Sequence, residues 1–499
     1  MHCFKKHWNA LPGMIFLAVT ALALATGSTV RAGSFAAQVI SAQGPFGPSL
    51  YNDPASILGA PATNYFDSAS APITRVKLNE PVWGQNVSDG VSNKLILTLN
   101  SGSFVIVGFD EPITNHPANP YGIDFLVFGN TFYVASTFGD AANLNTTTMF
   151  GMAFEEPVLV SVSPGFTGQP GEDPDDPATW PWYRYDNGPF GDGIFPTHAY
   201  RWNRDEAGWT EQLMDFTKPV NPAFESVFAA GGISVADAID LYTGSGGGAG
   251  FDLTPSGFDS VRYVKIEATE EFSSGEIDAI SIVRRMTLGD TLSVSPLNIA
   301  NNNARLFFQE LDAPDRTAVS VSFTELSDLA QVTATDFSAE AMTNVVGNVL
   351  NSVELILTNL LHSDPIAFTA DVAIGTGAGY SGTGGDLRLF QWNDSIWKSI
   401  PFTYNPTSRS VIAGGVTNLG AFALVQLVAP AMTISRTATG FRFEFDVVPN
   451  LLHTLERSTN LIHWTAITNS TPLTSGLVSF EDDTAPEPQA FYRLRLTID

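Results

Sequence analysis

Residues 94–133 read KLILTLNSGSFVIVGFDEPITNHPANPYGIDFLVFGNTFY. Leu95, Leu97 and Leu99 precede the polar turn Asn100-Ser101-Gly102-Ser103, and Phe104, Ile106 and Gly108 follow it. Alternation with period two around a turn is the pattern of a β-hairpin, because successive side chains on a strand point to opposite faces. Asp110-Glu111-Pro112 reads as a turn, and the run resumes in the apolar strand Ile123 to Phe128, which stops at Gly129-Asn130. Farther out, Pro157 to Ser163, Val261 to Glu267 and Ile277 to Val283 carry the same texture. Together they predict one antiparallel domain whose closed core joins the stretch near residue 100 to the segments near 265 and 280.

The ordered pieces GSFVIVGFDEPI, DFLVFGNTF, EEPVLVSVS, WYRY, GFDLTPSGFDSVRYVKI and GEIDAISIV resemble a family of secreted or cell-surface bacterial proteins. Members of that family carry a jelly-roll domain similar to galactose-binding, discoidin-like modules. The resemblance covers roughly Lys94 to Val283. It implies an all-β protein with a jelly-roll β-sandwich, an extracellular location and a binding role.

Composition agrees with a β-rich, exported chain. Of 499 residues, 44% are hydrophobic and only 15% charged, with 43 Gly and 31 Pro to supply turns. Lys5 and Lys6, the apolar run Met14 to Ala25 and Val30-Arg31-Ala32 have the three parts of a Sec-type signal peptide, residues 1–32, cleaved after Ala32. The apolar run is shorter than the ~20 residues that span a bilayer, so the mature chain is expected to have no transmembrane segment. Cys3 is the only cysteine and lies in that signal, so neither disulfides nor thiolate metal sites are expected after cleavage. Formal charge is −27, which repels nucleic acid and leaves cations, neutral glycans or basic surface components as partners.

Three regions follow the signal. Residues 33–286 read as the jelly-roll binding domain, interrupted by a long insertion at 164–222. Within it, Ser234 to Leu241 predicts a short helix with Ser234 as N-cap and Asp237 favouring the first turn. Gly244 to Gly250 lacks the Lys and Ser/Thr of a phosphate-cradling loop and reads as a flexible turn. Residues 287–428 change texture to Val, Thr, Ala and Asn, and LFQWNDSIWKSIPFTYNPTSRSVIAGGVTNLGAFALV resembles a β-sandwich spacer of large exported bacterial proteins. In residues 429–499, Phe441, Phe443 and Phe445 share one strand face, and His463-Trp464 is expected to pack on that core. There HTLERSTNLIHWTAI and AFYRLRL resemble a C-terminal, fibronectin-like module of planctomycete and verrucomicrobial exported proteins. The fold class expected is a jelly-roll followed by two smaller β-sandwich modules.

The insertion supplies the candidate ligand contacts, Trp180, Trp182, Tyr183 and Trp202. Indole and phenol faces pack on the C–H faces of sugars while neighbouring Asp, Asn and Arg bond the hydroxyls. The competing reading is that a long loop needs these aromatics to pack onto the sheet. Asp124, Asn130, Glu156 and Asp278 fall at strand ends and are the candidate ligands of a Ca2+ cofactor, a cation that takes several hard oxygens. No contiguous calcium-loop pattern accompanies them, and solvated turn carboxylates are the alternative. His116, His198, His362, His453 and His463 are scattered, and neither HExxH nor GxSxG occurs, so no catalytic residues are assigned. Glu155 with Asp124 is the nearest pair for glycoside hydrolysis. The function expected is an exported, non-enzymatic, cell-surface or extracellular protein that recognises glycans or other surface components. An accessory or degenerate carbohydrate-active enzyme and an adhesive or matrix protein without a specific ligand are the alternatives.

Overall fold

A computed structural model describes residues 33–65, 74–83, 85–86, 93–311, 313–337, 348–393, 396–427, 432–447, 452–472, 476–484 and 489–497. The expected signal peptide lies outside the described residues. The chain is all-β: among the described residues the strands form antiparallel sheets and the helices are all short. Among the described residues no helix is long and apolar enough to cross a membrane.

The strands that build the first sandwich and its annexes are β1 (Gln38–Gln43), β2 (Leu97–Leu99), β3 (Phe104–Thr114), β4 (Phe125–Gly129), β5 (Phe132–Ala135), β6 (Met149–Phe154) and β7 (Leu159–Ser163). They continue as β8 (Tyr183–Arg184), β9 (Tyr200–Asn203), β10 (Gly208–Leu213), β11 (Ala249–Phe251), β12 (Ser260–Glu267) and β13 (Gly275–Ile282). One sheet has five strands in the order β1-β3-β12-β7-β8, the other four in the order β11-β4-β13-β2. Val105, Val107, Val160, Val162, Val264 and Ile266 from the first sheet meet Leu97, Leu99, Phe125, Val127, Ile277 and Ile280 from the second in one buried cluster. Alternation therefore does its expected work: the same strands turn Ser161, Lys265 and Glu267 to the outer face.

The decisive stretch differs from its sequence reading in one respect. β2 and β3 do not pair as a hairpin. β2 pairs with β13 in the four-stranded sheet, and β3 pairs with β1 and β12 in the five-stranded one, so Asn100 to Ser103 carries the chain from one sheet to the other. The expectation that both halves join the segments near 265 and 280 in one closed core is met, with each half in its own sheet. Asp110-Glu111-Pro112 is likewise no turn, because β3 runs through it. A register shift opposite Val261 and Tyr263 absorbs the extra residues, and Arg262 Nη1 donates to the Phe109 carbonyl at 3.1 Å and also to the Asp110 carbonyl.

Ser234 caps the expected helix. Its hydroxyl accepts from Asp237 N–H at 3.0 Å while Asp237 Oδ2 accepts from Ser234 N–H, a reciprocal box at the start of α2 (Val235–Leu241), which follows α1 (Glu225–Ala230). The Gly244 to Gly250 run is no flexible turn: all but Gly250 is buried against Arg201, Phe216, Pro196 and Phe128.

After residue 286 a six-stranded sheet and a five-stranded sheet use strands between Thr291 and Gln426, and after residue 432 two three-stranded sheets use strands between Thr433 and Thr497. Phe443 and Phe445 are buried in the last pair as the alternation predicts. His463 is exposed rather than packed. Trp464 instead donates its indole N–H to the Leu461 carbonyl at 3.2 Å and lies under Arg493, whose guanidinium carbon is 4.1 Å from the ring centre.

The first two sandwiches share a core: Tyr121, Leu126 and Phe128 belong to the same buried cluster as Val294, Phe308, Val353 and Leu424. Tyr121 Oη bonds the Ser293 backbone and Asn221 pairs with Asn298, which satisfies the polar groups buried at the junction.

Candidate functional site

The outer face of the five-stranded sheet ends at β8 in an open cleft of about 490 Å3, lined by Ser161, Trp182, Tyr183, Arg184, Asp186, Lys265 and Glu267. Register builds it. Ser161 lies opposite Arg184 on one side and Lys265 on the other, so a hydroxyl stands between two cations in one row. Lys265 Nζ is ion-paired with Glu267 and sits 4.9 Å from the Phe104 ring centre. Arg184 Nε donates to Asp186 Oδ1 at 2.6 Å, and its Nη1 is 3.8 Å from Glu267 Oε1. Two cations and two anions thus alternate along the cleft, giving donors and acceptors without a net charge.

The insertion holds this edge by anchoring its own aromatics. Trp180 is buried, packs on Tyr263 with ring centres 4.6 Å apart, and donates its indole N–H to the Asp173 carbonyl at 2.9 Å. Tyr185 is buried too, packed edge-on against Phe251, with its hydroxyl on the Asp252 carbonyl at 2.8 Å. Between these anchors Trp182 and Tyr183 reach the cleft, the former fixed by its N–H on the Pro177 carbonyl at 2.8 Å.

The sequence-derived contact set is therefore split. Trp182 and Tyr183 come together in the cleft, whereas Trp180 is buried against Tyr263 and does not line it. Trp202 is on β9, where its ring meets Trp209 edge-on at 5.1 Å and its N–H bonds Asn145 Oδ1 at 2.8 Å; it lines no part of this cleft. Ser161, Arg184, Asp186, Lys265 and Glu267 were missed. The buried Val264 and Ile266 do mark the alternating Lys265 and Glu267 as outward, but nothing local brings Arg184 beside them.

The four expected Ca2+ ligands do not form one site. Asp124 spends Oδ1 on Asn119 Nδ2 at 2.7 Å and Oδ2 on Leu253 N–H at 2.7 Å. Asp278 accepts Ala62 N–H with both oxygens, at 2.9 and 3.2 Å. Asn130 donates to Glu276, whose charge also acts on Glu156. Asp124 and Asp278 each tie a loop to a sheet, so this quartet does not fit a single ion. Among the described residues no group of three or more His, Cys, Asp or Glu is placed to hold a metal. Nor do Asp124 and Glu155 share a partner: Glu155 follows β6 at the surface, its carboxyl raised by the partial desolvation of its position and then by Glu225.

Burial raises three carboxyls, Asp124 to about 6, Asp192 to about 7 and Asp278 to about 8. Each stays protonated in the folded chain where the unfolded chain has released its proton, so their contribution is present below pH 4 and lost as pH rises through the folded values. His198, lowered by burial to about 3, acts in the opposite sense but only below about pH 6.5, the usual imidazole value. Lys218, lowered by burial to about 8, does so only above that pH. Between pH 6.5 and 8 Asp192 and Asp278 therefore dominate. Urea midpoints are expected to fall across this window, by up to about 1.4 kcal/mol per pH unit for each group. Asp278→Asn should flatten the fall, and an unchanged slope in that variant would refute the assignment.

No protein-family model matches the chain, and no curated protein matches it in sequence.

Proposed function

We propose that the chain is an exported, non-catalytic binding protein whose first sandwich engages neutral glycans of a surface or matrix through the β8 cleft. The observation that carries this reading is the cleft's composition: one indole and one phenol beside a charge-balanced row of Arg184, Asp186, Lys265 and Glu267 around Ser161. A sugar presents C–H faces to the rings and paired hydroxyls to guanidinium and carboxylate. Cleft size fits one to a few saccharide units. The formal charge of −27 favours neutral over anionic glycans.

The test is binding to an array of neutral and acidic glycans, followed by calorimetry on the strongest. Trp182→Ala is expected to weaken binding at least about tenfold while leaving the melting temperature within a few degrees, since its ring is half-buried at the cleft rim. Trp180→Ala is expected instead to cost about 3 kcal/mol of stability, as a buried indole on Tyr263 should. If Trp182→Ala unfolds the first sandwich, the platform fails. Turnover of a bound glycan would replace this reading with that of a carbohydrate-active enzyme, and absence of binding across the array would leave an adhesive or matrix role.

A further inference from the structure

The ribbon β5–β6 breaks the rule that a sheet exposed on one side carries polar residues there. Its inner face, Tyr133, Ala135 and Met149, is buried on Phe224, Phe228 and α2. Its outer face carries Phe150, Met152 and Phe154, all more than half exposed at 53, 56 and 58%. Phe132 extends this face by stacking on Phe154 with ring centres 5.5 Å apart. Phe150, Met152 and Phe154 are the exposed alternate positions of β6, which bulges at Gly151 (φ +72°), so they lie in a row at most about 13 Å long. Isolated exposed apolar side chains are ordinary; an aligned row is the mark of a covered surface.

Charge selects the occupant. Glu155 ends the stripe, Glu156 follows it, and Glu225 opens α1, which packs along β6. Both Glu155 and Glu225 are exposed, and Glu225 lies close enough for its charge to act on Glu155. An anionic lipid surface is repelled by this rim and by the formal charge of −27, and a second copy of the chain brings the same charge. The apolar footprint, on the order of 300 Å2, is well below the ~800 Å2 that each partner contributes to a standard stable protein pair. It matches a short segment that lays three or four apolar side chains on the stripe and its cations on the rim.

We propose that the outer face of β5–β6 is a docking site for a short cationic, amphipathic peptide segment of another exported protein. Met152 at its centre suits such a role, because its unbranched thioether adapts to different apolar partners. This surface shares no residue with the β8 cleft and stands independently of the glycan reading.

The probe is a fluorescein-labelled 18-residue helix-forming peptide of Leu and Lys, with its Leu and Glu counterpart as control, titrated with the full chain and followed by anisotropy. Binding of the Lys peptide and not of the Glu peptide is expected. Met152→Glu decides the seat. A cation attracted merely by the acidic surface binds that variant as well or better, whereas a peptide lying on the stripe binds at least about tenfold more weakly. Met152 is exposed, so an unchanged far-ultraviolet dichroism and melting temperature should accompany the loss. Undiminished binding by Met152→Glu, or equal binding of the Glu peptide, overturns the proposal. Sedimentation of a dimer abolished by Met152→Glu would put a second copy there instead, and flotation with phosphatidylglycerol vesicles abolished by the same change would put a membrane there.

Discussion

Gly247→Ala is expected to lose about 3–5 kcal/mol of folding stability, enough to remove much of the margin of an ordinary domain. Gly247 has φ +85°, and a Cβ there would stand 2.2 Å from the Pro196 carbonyl oxygen and 2.9 Å from that of Phe195. Those atoms are backbone and cannot swing aside. The carbonyls are themselves committed: Phe195 O accepts from Gly248 N–H at 2.6 Å, and Pro196 O accepts from the buried Tyr242 hydroxyl at 2.9 Å. Moving either breaks a buried hydrogen bond as well as the packing. Gly257→Ala is the control, because φ is +72° there but nothing lies within 4 Å of the added methyl. It should cost about 1 kcal/mol, the strain of the left-handed backbone alone. Guanidinium midpoints that move equally for the two variants would show that the glycine run is not close-packed.

Arg284→Ala is expected to cost about 3 kcal/mol and to loosen the junction between the first two sandwiches. The Arg284 guanidinium donates to Asp215 Oδ2 through Nε at 2.7 Å and takes Asp290 in a two-pronged grip, both contacts at 2.7 Å. Burial works to raise the Asp290 carboxyl, and the Arg284 hydrogen bonds overcome it, holding the group below its usual range. Beside them Lys218, fully buried, donates to the Thr243 and Thr291 carbonyls at 2.5 Å. Without the guanidinium, Asp215 and Asp290 lose their shared hydrogen-bond donor in a desolvated seam where Lys218 is the nearby cation that acts on both. Arg284→Lys should recover only part of the loss, because an ammonium cannot reproduce the planar fork. Calorimetry should show a single transition for the first two sandwiches in the parent chain and two in Arg284→Ala. A loss under about 1 kcal/mol would mean the shared apolar core alone holds the junction.

The strands of the first sandwich could be read because their information is local. Val158, Val160 and Val162 alternate and name both a strand and its buried face, Val264 and Ile266 do so over a shorter run, and the Ser234 box names a helix start within four residues. What failed was pairing. Leu97–Leu99 and Phe104–Thr114 look like a hairpin because a short polar turn separates them, yet the same alternation serves a strand that crosses to the opposite sheet. Only the core, which draws Leu99 and Val105 together from opposite sides, selects the crossing. Asp110-Glu111-Pro112 failed for a similar reason: turn-forming residues also suit a bulge when a partner such as Arg262 satisfies the freed carbonyls.

Sequence by itself determined that this is an all-β chain, that its strands carry an apolar face, and where α2 begins, since these follow from side-chain period and capping chemistry over a few residues. Tertiary structure alone decided which aromatics are anchors and which reach the cleft, that Arg184 and Lys265 flank Ser161, that the glycine run is packed and not loose, and that β6 leaves an apolar stripe uncovered. Each of those depends on what lies within a few ångströms across the fold, and residues 80 positions apart carry no local trace of being neighbours.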